Sequence, residues 1–241
     1  MEIIKIEETD STNNWLLRHE EEMGDTVLVY SVKQTSGRGQ RGNSWESEPG
    51  KNITASLLFH PQKFPANQQF FISEAIALAI VEFLKSQGVE AKVKWPNDIY
   101  VGDRKICGIL VEHKVIGKEI TRTIAGFGIN LNQTRFISDA PNPVSLRMLT
   151  ETVYDLDKSV EELSEYLEEY LQNLSEGDSL HVRFNSILWR GDGLQYKFFD
   201  RKQEQKIDAY IDSVKKDGVL TLVTSEGEER NYYFKEVEFL L

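Results

Sequence analysis

The sequence predicts an α+β protein: a mixed, mainly antiparallel sheet flanked by helices, with a small C-terminal β-barrel after it. Runs rich in β-branched and aromatic residues, read as strands, recur at residues 2–7, 26–33, 52–59, 91–95, 98–101, 104–112 and 119–132. Helical stripes occupy residues 66–86 and the stretch carrying Val160, Leu163, Leu167, Leu171 and Leu174. After Trp189-Arg190-Gly191-Asp192-Gly193 the texture changes to short alternating strands, broken at Lys216-Asp217-Gly218 and Ser225-Glu226-Gly227. About fifty residues of that kind form a small antiparallel barrel. The chain therefore divides into a main unit of residues 1–190 and a second of residues 191–241.

At 241 residues the chain is long enough for one catalytic domain and a small appendage. A hydrophobic content of 40% fills a sizeable core. The single cysteine, Cys107, excludes a disulfide framework and any cysteine-based metal cluster, and its apolar neighbours mark it as a small buried hydrophobe. The first residues, Met1-Glu2-Ile3-Ile4-Lys5, lack a basic n-region and a long apolar run, and no stretch approaches membrane-spanning length. A cytoplasmic protein that meets no membrane is expected. The net charge of −11 disfavours non-specific binding to nucleic acid. Ten carboxylates against one lysine crowd residues 151–178, whereas basic residues gather around residues 37–42 and 92–105. An acidic protein with a local basic pocket suits a small anionic ligand.

In chain order, Asp10, Ser11 or Thr12 caps the helix begun by Trp15-Leu16-Leu17. The strand of residues 26–33 then runs into Gly37-Arg38-Gly39-Gln40-Arg41-Gly42. Three glycines there free the backbone for close approach, and two guanidiniums supply planar forks for phosphate or carboxylate oxygens. The pattern G-x-G-x-x-G is not a dinucleotide turn, because Pro49-Gly50 blocks the helix that such a turn must open. A kinase loop fails too, since no His-Arg-Asp or Asp-Phe-Gly follows.

The helix of residues 66–86 ends at Gly88, and its alanine-rich centre implies close packing on a sheet. The next block, AKVKWPNDIYVGDRKICGILVEH, has a strand broken by Pro96 and a hairpin closed by Gly102-Asp103. A two-residue loop sets Val101 opposite Arg104 and Tyr100 opposite Lys105. Asp98, Tyr100 and Lys105 then share a face, with Asp98 diagonal to Lys105. Such a pair is either a weak surface bridge or an active-site pair in which Asp98 positions Lys105. Gly126-Phe127-Gly128-Ile129-Asn130 puts two glycines inside a strand, which favours close approach of a ligand or another backbone.

Together Asp10-Ser11-Thr12-Asn13, Gln34-Thr35-Ser36 before GRGQRG, KWPNDIYV with KICGILVE, and GFGIN resemble the biotin protein ligases, the biotin–[acetyl-CoA carboxylase] ligase family. The likeness spans about Glu7 to Asn132, and the C-terminal barrel resembles the family's SH3-like domain. It implies a biotin/lipoate ligase-like catalytic domain that converts biotin and Mg·ATP to biotinyl-5′-AMP. The biotinyl group would then pass to one lysine of a biotin carboxyl carrier protein domain. By this resemblance Lys105, Arg38 and Asp98 are catalytic, and Asp98 is also the candidate Mg²⁺ ligand. Ser11, Thr12, Asn13, Gln34, Arg38, Gly39, Gln40, Lys105, Gly108 and Gly128 would bind biotin. Gly37, Arg38, Gln40, Arg41, Trp45, Lys94, Asn97, Lys105 and Asn130 would hold the adenylate or ATP, with Gly126 letting ligand lie against backbone.

Gln40 stands where the family's commonest loop has arginine, so one positive charge near the intermediate is missing. Only nine residues precede Asp10, too few for the helix-turn-helix of some family members, so the monofunctional type without DNA binding is expected. Exposed sheet edges make a homodimer an expectation. Lipoate or octanoate ligases share the fold and the adenylation logic. A nucleotidyltransferase that adenylates its own lysine wants Lys-x-Asp-Gly, but Lys105-Ile106-Cys107-Gly108 has cysteine in the aspartate's place. A non-enzymatic biotin binder or adapter has no use for Lys105, Arg38 and Arg41 in its pocket.

Overall fold

The computed structural model describes residues 1–138 and 142–240. The main sheet runs in the order β1-β2-β3-β8-β7-β6-β5, with the short β4 (Phe64–Pro65) also on β8. Its strands are β1 (Glu2–Thr9), β2 (Thr26–Gln34), β3 (Ile53–Phe59), β5 (Lys92–Lys94), β6 (Asp98–Val101), β7 (Arg104–Ile116) and β8 (Glu119–Ile129). β1 and β2 are parallel and every other pair is antiparallel, so the sheet is mixed as expected.

The sheet's two faces have different partners. Strand alternation sends Leu28, Tyr30, Ala55 and Leu57 into the main core, which includes helices α2 (Gln69–Ser86), α4 (Leu156–Gln172) and α5 (Gly177–Ser186). α2 is apolar on most sides, with twelve buried positions, because it lies between the sheet and α4 and α5. The opposite side chains, Val27, Val29, Leu58 and Ile124, meet Leu16 of α1 (Thr12–His19). α1 is only two turns long and covers part of that face. The rest of the face is floored by glycines and carries the candidate site.

The helical stripe expected up to Leu174 ends sooner. α4 stops at Gln172, and Leu174 lies in a short 3-10 turn (Leu174–Glu176) that leads into α5. A five-residue helix, α3 (Leu146–Thr150), with Ser145 as its cap, follows the β8 loop.

The second sheet is wholly antiparallel, in the order β12-β11-β10-β9-β13. Its strands are β9 (Tyr196–Asp200), β10 (Gln205–Val214), β11 (Leu220–Thr224), β12 (Glu229–Tyr232) and β13 (Val237–Phe239). The five strands are consistent with an SH3-like unit, and the pairing path among the described residues is open at its two ends. This sheet docks beside β5 and β6. Trp95 Nε1 donates to the Gly218 carbonyl at 2.9 Å, and Asn185 Oδ1 accepts from the Val214 amide at 2.7 Å. Among the described residues no helix is long and apolar enough to cross a membrane.

Candidate active site

The Asp98–Lys105 pair is built by the hairpin of β6 and β7. Val101 opposes Arg104 and Tyr100 opposes Lys105, as a two-residue turn requires. One step further the register shifts: Ile99 pairs with Cys107 and Asp98 with Gly108, so Ile106 is an extra residue in β7. A bulge of this kind reverses side-chain parity along its strand. It turns Gly108, Leu110 and Glu112 onto the face that Lys105 occupies. Lys105 Nζ reaches Asp98 Oδ1 at 2.7 Å, with both side chains about one-fifth exposed.

The floor beneath this pair is glycine for a steric reason. A Cβ placed on Gly128 would lie 2.2 Å from the Trp45 ring, and one on Gly108 would lie 3.0 Å from it. A Cβ on Gly126 would lie 2.0 Å from Asn13 Oδ1. The indole of Trp45 therefore rests against the bare backbones of β7 and β8, and Lys105 Nζ stands 5.7 Å from its ring centroid. Trp45 Nε1 and Gln40 Oε1 are buried without a hydrogen-bond partner among the described residues. Unpaired buried polar atoms are rare in folded proteins, and these two fall in one loop beside Lys105.

The glycine-rich loop folds back on itself. Arg38 bridges to Ser44, Gly39 donates to the Asn43 carbonyl at 2.7 Å, and Trp45 donates to the Gly37 carbonyl at 2.9 Å. Gln40–Gly42 form a 3-10 turn, with Gly42 at φ +87, a value that strains any other residue. The side chain of Arg41 lies outside the described residues. A cavity of about 580 Å³ opens between this loop and β7, walled by Arg38, Gly39, Leu110 and Glu112 among others. A larger one, about 910 Å³, lies between the ends of β2 and β3 and the α4–α5 turn, and it holds none of the candidate residues.

At the α1 end Ser11, Thr12, Asn13 and Ser56 are short, polar and buried. Gln34 Oε1 accepts from the Thr12 amide at 2.8 Å and from Thr12 Oγ1 at 3.2 Å. Ser56 Oγ lies 2.7 Å from Thr12 Oγ1 and 2.5 Å from Asn13 Oδ1, while Asn13 Nδ2 donates to Glu112 Oε2 at 2.8 Å. Ser11 is buried at the helix N-terminus and its hydroxyl makes no cap.

Three expected residues turn their polar ends to other partners. Lys94 turns its ammonium to Tyr100 Oη at 3.2 Å, under the rings of Trp189 and Phe239. Asn97 Nδ2 donates to the Ile109 carbonyl at 2.7 Å, and Asn130 Nδ2 to the Val144 carbonyl at 3.0 Å, so both amides hold backbone. Among the described residues no three His, Cys, Asp or Glu side chains converge as a metal cluster, and one oxygen of Asp98 is already on Lys105. Two residues at the site escaped the sequence reading, Ser56 and Glu112. Ser56 had a signal, a serine inside the mostly apolar strand run ITASLLF. Glu112 had none, because its face depends on the bulge at Ile106.

The family is now defined. Residues 4–130 match the model of the biotin/lipoate A/B protein ligase family, more than half of the chain, and the chain belongs to that family. It is 35% identical over 127 residues to the bifunctional ligase/repressor BirA of Escherichia coli, covering 52% of this chain and 39% of that protein. The biotin–[acetyl-CoA-carboxylase] ligase of Paracoccus denitrificans is 32% identical over 128 residues, 51% of this chain and 52% of its own. The matched stretch thus spans about half or less of these relatives. In three dimensions the biotin protein ligase of Aquifex aeolicus, solved with biotin and ATP, superposes with a TM-score of 0.79 at 24% identity. That likeness covers 98% of this chain and 97% of the other.

Proposed function

We propose that the protein is a biotin protein ligase that makes biotinyl-5′-AMP from biotin and ATP, then passes biotin to a lysine of a biotin carboxyl carrier protein domain. The observation that carries this is the Lys105 ammonium, held by Asp98 above a glycine floor and beside the Trp45 indole. In the first step a biotin carboxylate oxygen bonds to the α-phosphorus as the bond to pyrophosphate breaks. Lys105 sits where it offsets the charge shared by carboxylate and phosphate oxygens. Arg38 takes a second oxyanion with its planar fork. The loop of residues 37–42, with Trp45, closes over the mixed anhydride and keeps water from it. In the second step the carrier's ε-amine bonds to the acyl carbon, the C–O bond to AMP breaks, and the amine loses its proton.

The buried groups of Ser11, Thr12, Asn13 and Ser56, with the partly buried amide of Gln34, favour biotin over lipoate or octanoate. A ureido ring needs donors and acceptors at the closed end of the pocket and can join this hydrogen-bonded cluster, whereas a dithiolane or an alkyl end offers it no polar partner. Mg²⁺ would arrive on the phosphates of ATP, with Asp98 the carboxylate placed to meet it, since Mg²⁺ is commonly held by one or two carboxylates plus substrate oxygens. We assign adenylation and transfer to residues 1–190, with residues 191–241 as the SH3-like unit.

ATP–pyrophosphate exchange with biotin, lipoate and octanoate as rival acids tests the proposal. Exchange that depends on biotin is expected. Exchange with lipoate or octanoate in its place would overturn the substrate, and none with any acid would overturn the enzyme.

A further inference from the structure

Glu112 ties together parts of the site that come from different elements. Its Oε1 accepts from Arg38 Nη2 at 2.9 Å and its Oε2 lies 3.4 Å from Arg38 Nη1. The same Oε2 accepts from Asn13 Nδ2 at 2.8 Å. Arg38 Nη1 also donates to Asn14 Oδ1 at 2.9 Å. One carboxylate on β7 thus fastens the glycine-rich loop on one side and α1 on the other. We propose that Glu112 is a positioning residue, the resident counter-anion of Arg38: it holds the loop on β7 in the empty protein, and a substrate oxyanion takes Arg38 by exchange with it. Only the identity of the incoming anion rests on the ligase reading.

Several features make this an exchangeable contact and not a fixed strut. Arg38 and Glu112 are both about one-third exposed, and ion pairs at that exposure are weak. A phosphate or carboxylate bound under a closed loop makes the stronger partner, because desolvation strengthens charge-assisted bonds. The cavity of about 580 Å³ has Arg38 and Glu112 on its wall, so an anion entering it meets the guanidinium directly. When Arg38 leaves, Glu112 keeps Asn13 and its contact with water, and no buried unpaired charge results. The loop's unpaired Gln40 Oε1 and Trp45 Nε1 show that the arrangement on β7 does not satisfy the whole loop.

Hydrogen exchange of the loop amides tests the latch without any turnover. The reporters are Gly39, Asn43 and Trp45, whose N–H groups bond to the carbonyls of Asn43, Gln40 and Gly37. In the empty protein Glu112→Gln is expected to speed their exchange by roughly three- to tenfold, the range of a partly exposed ion pair with its hydrogen bonds. With biotin and ATP bound, exchange matches the unaltered protein, because Arg38 then has another partner. Arg38→Ala loosens the empty loop to a similar degree, and adding Glu112→Gln to it changes nothing more. Unchanged exchange in empty Glu112→Gln overturns the proposal. So does equal loosening in the loaded protein, or additive effects in the double variant. If biotin and ATP fail to protect the loop of the unaltered protein, the ligase reading falls, and the empty-protein measurements still decide the latch.

Discussion

Lys94 and Lys105 both neighbour Asp98, and their surroundings are opposite in kind. Lys105 meets Asp98 directly at 2.7 Å, on an open face floored by glycine and topped by a loop with unpaired polar atoms. Lys94 is the cross-strand partner of Asp98 on β5, yet its ammonium sits among Tyr100, Trp189 and Phe239, at 4.8, 5.8 and 5.5 Å from their centroids. Burial in that aromatic setting pushes its pKa below the ordinary lysine value. Around Lys94 the polar atoms are matched: Trp95 and Trp189 both place their indole N–H on a backbone carbonyl, those of Gly218 and Gly102. The site side leaves one donor, Trp45 Nε1, and one acceptor, Gln40 Oε1, unpaired, and the seam with the second sheet closes its own bonds. The same residue type therefore stands on an open, ion-paired face in one place and inside an aromatic seam between two sheets in the other.

The largest test of this contrast is Lys105→Ala. It should lower biotin-dependent pyrophosphate exchange by at least ~10²–10³-fold, the scale of losing one preorganised charge at a transition state. The thermal midpoint should stay within a few degrees. A near-normal exchange rate in this variant would remove Lys105 from the chemistry.

The contrast was only partly legible in the sequence. The hairpin of Val101 and Arg104 followed from a two-residue Gly102-Asp103 turn, and the pairing of Asp98 with Lys105 followed from strand parity. The extra residue Ile106 was invisible, because a bulge is set by how two strands fit and not by a residue type. It decides that Gly108 and Glu112 share the face of Lys105. Lys94, Asn97 and Asn130 sit in motifs dense with site residues, and motif membership alone cannot separate a side chain facing ligand from one holding the motif's backbone. For Lys94 the deciding partners, Trp189 and Phe239, lie about a hundred residues or more along the chain, beyond the reach of a local pattern. The parallel pairing of β1 with β2 likewise depends on α1 returning the chain across one face.

The packed side also carries a buried carboxyl–imidazole pair. Glu74 on α2 is fully buried, its Oε1 lies 2.6 Å from His181 Nδ1, and its other oxygen has no partner among the described residues. Burial raises the Glu74 pKa from 4.5 to about 9, and burial also lowers that of His181 from 6.5, so the pair is neutral at pH 7. A carboxyl that keeps its proton when folded stabilises fully below pH 4.5, and the contribution fades as pH climbs towards 9. His181 acts in the opposite sense below 6.5, where the unfolded chain takes up a proton first. Between pH 6.5 and 9 Glu74 should dominate, with stability falling by up to about 1.4 kcal/mol per pH unit. Urea unfolding across that window should show the fall in the unaltered protein and a flattened profile in Glu74→Gln, which mimics the neutral acid. An equally steep profile in both would place the pH response elsewhere.

The smallest effect expected is also the one that separates the two lysines most directly. Lys94→Ala removes an ammonium ringed by three aromatic faces and the donor to Tyr100 Oη, a hydroxyl in a fully buried ring. Cation–π contacts out of water contribute up to about 2 kcal/mol, and burying the ammonium offsets part of that. Stability should fall by ~1–2 kcal/mol, read from the urea midpoint, because the lost contacts bind the main sheet to Phe239 of the second. Exchange should fall no more than severalfold, since Asp98 keeps Lys105 and loses only a neighbouring charge. The opposite pattern, with exchange gone and stability intact, would move Lys94 into the active site and make the aromatic seam part of the nucleotide's pocket.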